Sequence, residues 1–229
     1  MQIIIPMTGY GSRFVAAGYK ELKPFINVQG KPIIQWIVEG MYKGEKNFIF
    51  VCRKEHLDRL PYIRETLEKL APECKIVSID NWVKKGPVYD VLRASDEILD
   101  DDECIVNYCD FYMQWDYNKF LLDVKNRECD GAIPCYTGFH PHLIPQINLY
   151  ASCMTDENND LIEIREKYSF EENKTKAKHS PGVYYFKDGK TLKNYSKELV
   201  DSGKCFLIQV LRILSVKDLL NEHLAKRYR

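Results

Sequence analysis

Ile3-Ile4-Ile5-Pro6-Met7-Thr8-Gly9-Tyr10-Gly11-Ser12-Arg13-Phe14 is an apolar run that ends at a proline and opens into a loop with two glycines and an arginine. Three consecutive β-branched residues with no polar alternation fit a strand buried on both faces, which is the pattern of a parallel sheet. Gly9 and Gly11 let the main chain approach a bound group closely, and successive N–H groups in such a loop form a cradle for phosphate oxygens. Arg13 adds a planar fork of donors that matches phosphate. A tight turn carrying a surface arginine fits these residues equally well.

Outward from this stretch, strand and helix patterns alternate. Pro32 starts a helix whose apolar residues, Ile33, Ile34, Ile37, Val38 and Met41, form one face. Asn47 to Cys52 reads as the next strand, followed by a helical face of Leu57, Leu60, Ile63, Leu67 and Leu70 that Pro61 interrupts. Lys75 to Ile79 and Cys104 to Tyr108 read as strands. Val88, Val91 and Leu92 mark a helix between them, and Phe120, Leu121 and Val124 mark one after. A further strand is expected near Ala132 to Tyr136, and others at Leu161 to Glu166 and Val183 to Phe186. This order predicts an α/β fold, a Rossmann-like three-layer αβα sandwich with a mainly parallel central sheet. Ligands of such sheets bind beyond the carboxyl ends of the strands. The loops at Met7–Phe14, Lys85–Val88 and Cys109–Tyr112 all leave such ends.

The composition narrows the classes. With 45% hydrophobic and 29% charged residues the chain has the make-up of a globular domain, not of a disordered segment. Lys+Arg and Asp+Glu balance at 33 each, which argues against a basic nucleic-acid surface. No apolar run reaches the roughly 18 residues of a membrane helix, and the amino terminus lacks a signal-peptide pattern. The eight cysteines show no C-x-x-C pair or zinc spacing, and they read as reduced thiols of a cytoplasmic protein. One domain is expected over 1–229, with a nucleotide-binding half at about 1–115 and an acceptor-binding half at about 116–229.

Ten residues after Arg13 come Lys23-Pro24, then Gly30-Lys31-Pro32-Ile33-Ile34. Together with the first loop, this ordered series resembles the signature of the sugar-phosphate nucleotidyltransferase family, of nucleotide-diphospho-sugar transferase fold. The resemblance implies that Met7, Thr8, Gly9, Gly11, Ser12 and Arg13 wrap a nucleoside triphosphate. It implies too that Lys23 stabilises charge at the phosphorus under attack, and that Gly86 and Pro87 border the base. Thr8 departs from the family, which usually has a second glycine there.

The same resemblance assigns Asp110, at the end of an apolar strand, to Mg2+, a hard ion bound through one or two carboxylates plus phosphate oxygens. A turn-capping role for Asp110 remains open. Glu166 and Lys167, in Ile162 to Lys167, resemble the family's strand that contacts the acceptor and its phosphate, although an exposed strand with alternating charge fits as well. Where Gly182-Val183-Tyr184-Tyr185-Phe186 would be followed by an aspartate in many members, this chain has Lys187, so Asp188 is the expected second metal ligand. His140 and His142 fall where the family places acceptor-contacting loops, with a turn around Pro141 as the other reading. Catalysis is thereby assigned to Arg13, Lys23, Asp110 and Lys167.

Gly138-Phe139-His140-Pro141-His142, Ile164-Arg165-Glu166-Lys167 and the 182–187 stretch, with Asn107 to Tyr112 in the middle, look most like a subgroup in bacterial capsule gene clusters. That likeness implies CTP and L-glutamine phosphate as substrates. A sugar 1-phosphate or phosphocholine acceptor, and a catalytically silent nucleotide-binding subunit, stay open. A dinucleotide-binding dehydrogenase is disfavoured because no glycine follows Gly11 at the required spacing. Leu214 to Leu224 is a faint echo of the family's carboxy-terminal D-L-G-T-P-E segment. Oligomeric state is not readable from the sequence.

Overall fold

The computed structural model describes residues 1–144, 148 and 150–203. In chain order it contains β1 (Gln2–Pro6), α1 (Ser12–Ala16), β2 (Asn27–Val28), β3 (Lys31–Pro32) and α2 (Ile33–Trp36). There follow β4 (Phe48–Arg53), α3 (Lys54–Arg59), α4 (Tyr62–Leu70), β5 (Lys75–Ile79), α5 (Pro87–Arg93), β6 (Cys104–Asn107) and α6 (Tyr117–Asn126). The rest is β7 (Gly131–Ala132), β8 (Ser152–Thr155), β9 (Leu161–Arg165), β10 (Lys178–His179), β11 (Val183–Phe186) and α7 (Gly189–Asp201).

A six-stranded sheet of order β5-β4-β1-β6-β11-β7 forms the centre. Its first four strands are mutually parallel, and β11 runs against β6. Alternation along β1 decides what the sheet separates. Ile3 and Ile5 point into a core with Ile34 and Ile37, Ile63 and Leu67, and Val124, so α2, α4 and α6 cover that face. Ile4 points the other way, into a core with Val88 and Val91 of α5 and Leu192 and Leu199 of α7. The three-layer arrangement is therefore the expected one. Pro61 divides the helical stretch after β4 into α3 and α4, and α2 runs on as a wide π-type turn over Ile37–Met41.

Chain order reverses at β1, with β4 on one side and β6 on the other. That is a topological switch point, and it leaves a crevice at the carboxyl ends of these strands. A second sheet, β10-β8-β9, is built from the later part of the chain, and Ile164 and Cys153 pack it onto the α5 and α7 core. The strand expected near Ala132 to Tyr136 is shorter, being β7 plus an isolated bridge from Tyr136 to His179. Among the described residues no helix is long and apolar enough to cross a membrane. The seven described cysteines are free thiols, four of them buried. Leu214 to Leu224 lies outside the described residues.

Candidate active site

The glycine loop leaves β1 at the switch point. Met7 and Thr8 are buried, Met7 in the core and Thr8 with its hydroxyl donating to the Asp90 carboxylate in α5. Their side chains thus turn inward, and the exposed part of the loop is Gly9 and Tyr10. Gly11 adopts φ +60°, a left-handed conformation that glycine tolerates without a Cβ penalty, and it starts α1. Gly9 has open space where a Cβ would stand, so no protein atom crowds it. Ser12 and Arg13 are exposed in α1. Arg13 forms no ion pair among the described residues, which leaves its guanidinium available to an anion.

Lys23 starts a short 3-10 turn over Lys23–Phe25, and its ammonium reaches across the crevice to an ion pair with Asp110. Lys23 also lies 5.6 Å over the Phe14 ring. Side-chain exposures of 25% for Lys23 and 35% for Asp110 leave both within reach of a ligand in the crevice. The two loops flanking the switch point therefore meet in one cation–carboxylate pair beside the glycine loop. On the other side Gly86, at φ +99°, caps α5 with Pro87 in its first position.

Asp110 follows the end of β6. Beneath it lies Tyr108, whose hydroxyl burial pushes well above the ordinary phenol range, with Tyr184, Glu166 and Asp110 adding to the shift. Partial desolvation raises Glu166 itself above the usual glutamate value, and neighbouring Lys167 partly offsets this. Lys167 adopts φ +52° in the turn after β9 and is exposed. Gly182 closes the floor: at φ +82°, its added Cβ would stand 2.6 Å from Tyr108 Cδ2.

Asp188 requires a correction. Phe186 of β11 pairs with Cys104 at the start of β6, whereas Asp110 lies beyond the end of that strand. Three strand residues at about 3.3 Å each already exceed the span of two ligands on one ion. Asp188 instead caps α7, accepting a 2.6 Å hydrogen bond from the Thr191 amide. It is a structural residue at the opposite end of the sheet. No group of three His, Cys, Asp or Glu side chains among the described residues is placed to hold a metal. A single strand-end carboxylate beside a phosphate loop still suits Mg2+, which completes its shell with phosphate oxygens and water. His140 packs edge-to-face on Tyr136, with ring centroids 4.6 Å apart, and Tyr136 stacks on Phe111, next to Asp110. His142 lies in the short turn Pro141–Leu143, of which only its main chain is described.

The sequence reading passed over a group beside the glycine loop. Arg53, the last residue of β4, is 6% exposed, and its guanidinium lies 4.4 Å from the Tyr10 ring centroid and 4.6 Å from that of Trp82. Trp82 Nε1 donates to Asp90 Oδ1 at 2.8 Å. Burial raises the Asp90 carboxyl above the usual aspartate value, while the bonds from Thr8 and Trp82 and the Arg53 charge pull it back. A charged residue closing the apolar run Asn47 to Cys52 was the available signal.

A glycine loop and a cation–carboxylate pair at the switch point of a mainly parallel sheet define the class of α/β proteins that bind nucleotides through their phosphates. The chain belongs to the family of MobA-like NTP transferase domains, whose model matches residues 3–172. Among curated proteins it resembles the bifunctional protein GlmU of Methanocaldococcus jannaschii, 25% identical over 194 residues, covering 81% of this chain and 40% of that protein. The chain spans less than half the length of the curated relatives it matches. Among solved structures, a nucleoside-diphosphate-sugar pyrophosphorylase of Vibrio cholerae aligns with TM-score 0.75 at 17% identity, covering 95% of this chain and 88% of that one. HddC of Yersinia pseudotuberculosis complexed with GMP-PN aligns with TM-score 0.64 at 20% identity, covering 90% and 83%.

Proposed function

We propose that this chain is a Mg2+-dependent nucleotidyltransferase, and specifically a cytidylyltransferase. It would convert CTP and L-glutamine phosphate to CDP-L-glutamine and pyrophosphate, for the phosphoramidate modification of capsular polysaccharide. The observation that carries the reaction class is the meeting of Lys23 and Asp110 beside the Gly9–Arg13 loop at the sheet's switch point. Family membership supports it. The choice of CTP and of an amino-acid phosphate rests on the resemblance of the 107–112, 138–142, 164–167 and 182–187 stretches to a capsule-cluster subgroup.

In this reading the loop amides and Arg13 hold the triphosphate. Lys23 places its ammonium against the α-phosphate, and Lys167 binds the acceptor phosphate. An oxygen of that phosphate attacks the α-phosphorus in line, the new P–O bond forms, and the bond to the β-phosphate oxygen breaks to release pyrophosphate. A phosphate is already ionised at neutral pH, so catalysis is positioning and charge neutralisation. Asp110 would hold Mg2+, which supplies further positive charge at the phosphates when bound. Glu166 faces the acceptor, and His140 and His142 border it. The domain is taken as 1–229, with the acceptor side carried by the second sheet, in a cytoplasmic protein.

A sugar 1-phosphate acceptor is the second reading, favoured by the likeness to the nucleoside-diphosphate-sugar pyrophosphorylase of Vibrio cholerae. Pyrophosphate release with Mg2+, across four ribonucleoside triphosphates and acceptors including L-glutamine phosphate, phosphocholine and sugar 1-phosphates, tests these readings together. Turnover with CTP and L-glutamine phosphate alone supports the first. Turnover only with a sugar 1-phosphate replaces it, and nucleotide binding without any turnover points to a silent subunit.

A further inference from the structure

Arg53 is a buried cation whose charge acts on the nearby Asp90 carboxylate without a direct ion pair to it. Among the described residues it forms no ion pair, and its buried Nε has no hydrogen-bond partner. Asp90 is the neighbouring carboxylate, and its oxygens accept from Thr8 and from Trp82, with no hydrogen bond from Arg53. What holds Arg53 is aromatic: the Tyr10 and Trp82 rings lie within 5 Å of the guanidinium, and the rings meet edge-to-face at 5.0 Å. A buried guanidinium left with unused donors is costly unless a ligand supplies acceptors.

Its place in the fold says which ligand. In the sheet β4 lies between β1 and β5. The glycine loop follows β1, and the loop with Trp82 and Gly86 follows β5. Arg53, at the end of β4, therefore lies at the base of the gap between these two loops. Tyr10 is 53% exposed, so the gap is covered there by a side chain that can turn aside. A nucleotide whose triphosphate lies on Gly9 to Arg13 would place its base in that gap.

We propose that Arg53, held between Tyr10 and Trp82, reads the base and selects cytosine over uracil. This rests on the reading that the Gly9–Arg13 loop binds a triphosphate. A guanidinium edge offers donors only, in a planar fork, and so requires two adjacent acceptors. Cytosine presents O2 and an unprotonated N3 side by side. Uracil carries a hydrogen on N3, which would face an N–H donor and leave both groups unpaired. Such a mismatch in a site built for hydrogen bonding discriminates more sharply than a change of shape does. Trp82 and Asp90 act as positioning groups that hold the fork in place.

Calorimetric titration of the full chain with CTP, UTP, GTP, ATP and inorganic tripolyphosphate, each with Mg2+, tests this on the native protein and on Arg53→Met and Arg53→Lys. The native chain is expected to bind CTP at least about 10-fold tighter than UTP, the free energy of one good hydrogen bond to a charged donor. Arg53→Met should remove that preference by weakening CTP, with UTP and tripolyphosphate unchanged. Arg53→Lys keeps the charge without the fork and should lose most of the preference as well, which covers the case in which the methionine variant fails to fold. Equal CTP and UTP affinity in the native chain, a preference that survives both substitutions, or an Arg53-dependent preference for GTP would each overturn the assignment. Absence of tripolyphosphate binding would instead overturn the triphosphate-loop reading on which it stands.

Discussion

Lys23 and Asp110 are each partly exposed and pair with one another, so their worth to the fold is that of a half-screened ion pair, about 1 kcal/mol or less. Their worth to catalysis would be far larger, because charge that develops in the transition state has few other partners in the crevice. Lys23→Ala and Asp110→Ala are expected to lower kcat by about 100-fold or more. Their melting temperatures should stay within a few degrees of the parent. Near-parental turnover in either variant would remove that residue from the mechanism. Glu166 gives a pH test. Partial desolvation raises its carboxyl above the ordinary glutamate range although the residue is exposed, so it takes up a proton at higher pH than an ordinary glutamate as the solution is acidified. Below that point it no longer offers a charged acceptor, and the KM for the phosphorylated acceptor should rise. Glu166→Gln should have a raised KM with no such acid limb, and an unchanged profile would refute the contact. At this scale Arg13, Lys23 and Asp110 were singled out by the resemblance of their loops to the family signature, and Lys23 and Asp110 do meet in one ion pair. Arg53 was not, since its meaning depends on two rings brought in from other loops by the sheet order.

Two elements show where local reading stops. Leaving the sheet edge, the 167–182 stretch reads as polar loop, yet Lys178 and His179 pair with Ser152 and Cys153. A two-residue strand has no periodicity to detect, and β8 likewise owes its place to packing of Cys153 and Ala151 against the α5 and α7 core. Asp188 was assigned from the aspartate that many family members carry after the strand here formed by β11, whereas strand direction sends it to the far end of the sheet. Asp188→Ala should therefore cost about 1 kcal/mol through loss of the α7 cap, lower Tm by about 2–4 °C, and leave Mg2+-dependent turnover intact. Loss of turnover without loss of stability would restore it as a ligand. Gly182→Ala tests the junction between β11 and the crevice floor. Its backbone is left-handed, and the new Cβ meets Tyr108 at 2.6 Å. Strain and overpacking of about 2–3 kcal/mol are expected, visible as a Tm fall of about 5–10 °C. Turnover should drop with it, since Tyr108 lies two residues before Asp110.

Across the molecule, the parallel sheet was legible because apolar runs of strand length alternate with amphipathic helical stretches. The crossing of loops at the switch point follows from that order. The second sheet was less so, because it is assembled from segments distant in sequence. This division has an energetic consequence. The two core clusters pack against opposite faces of the sheet, so the glycine loop, the Gly86 turn and the Asp110 loop all leave strands or helices anchored in buried apolar side chains. A ligand touching all three loops binds the folded chain and has no counterpart in the unfolded one. At a concentration about 100 times its Kd, such a ligand adds about 2.7 kcal/mol to stability, or roughly 5–10 °C in Tm for a chain of this size. Thermal melts with CTP and Mg2+ should show that rise in the parent. Lys23→Ala should show much less of it, and Asp188→Ala the full shift from its lower starting point. An equal shift in the parent and Lys23→Ala would mean that the nucleotide binds elsewhere on the molecule.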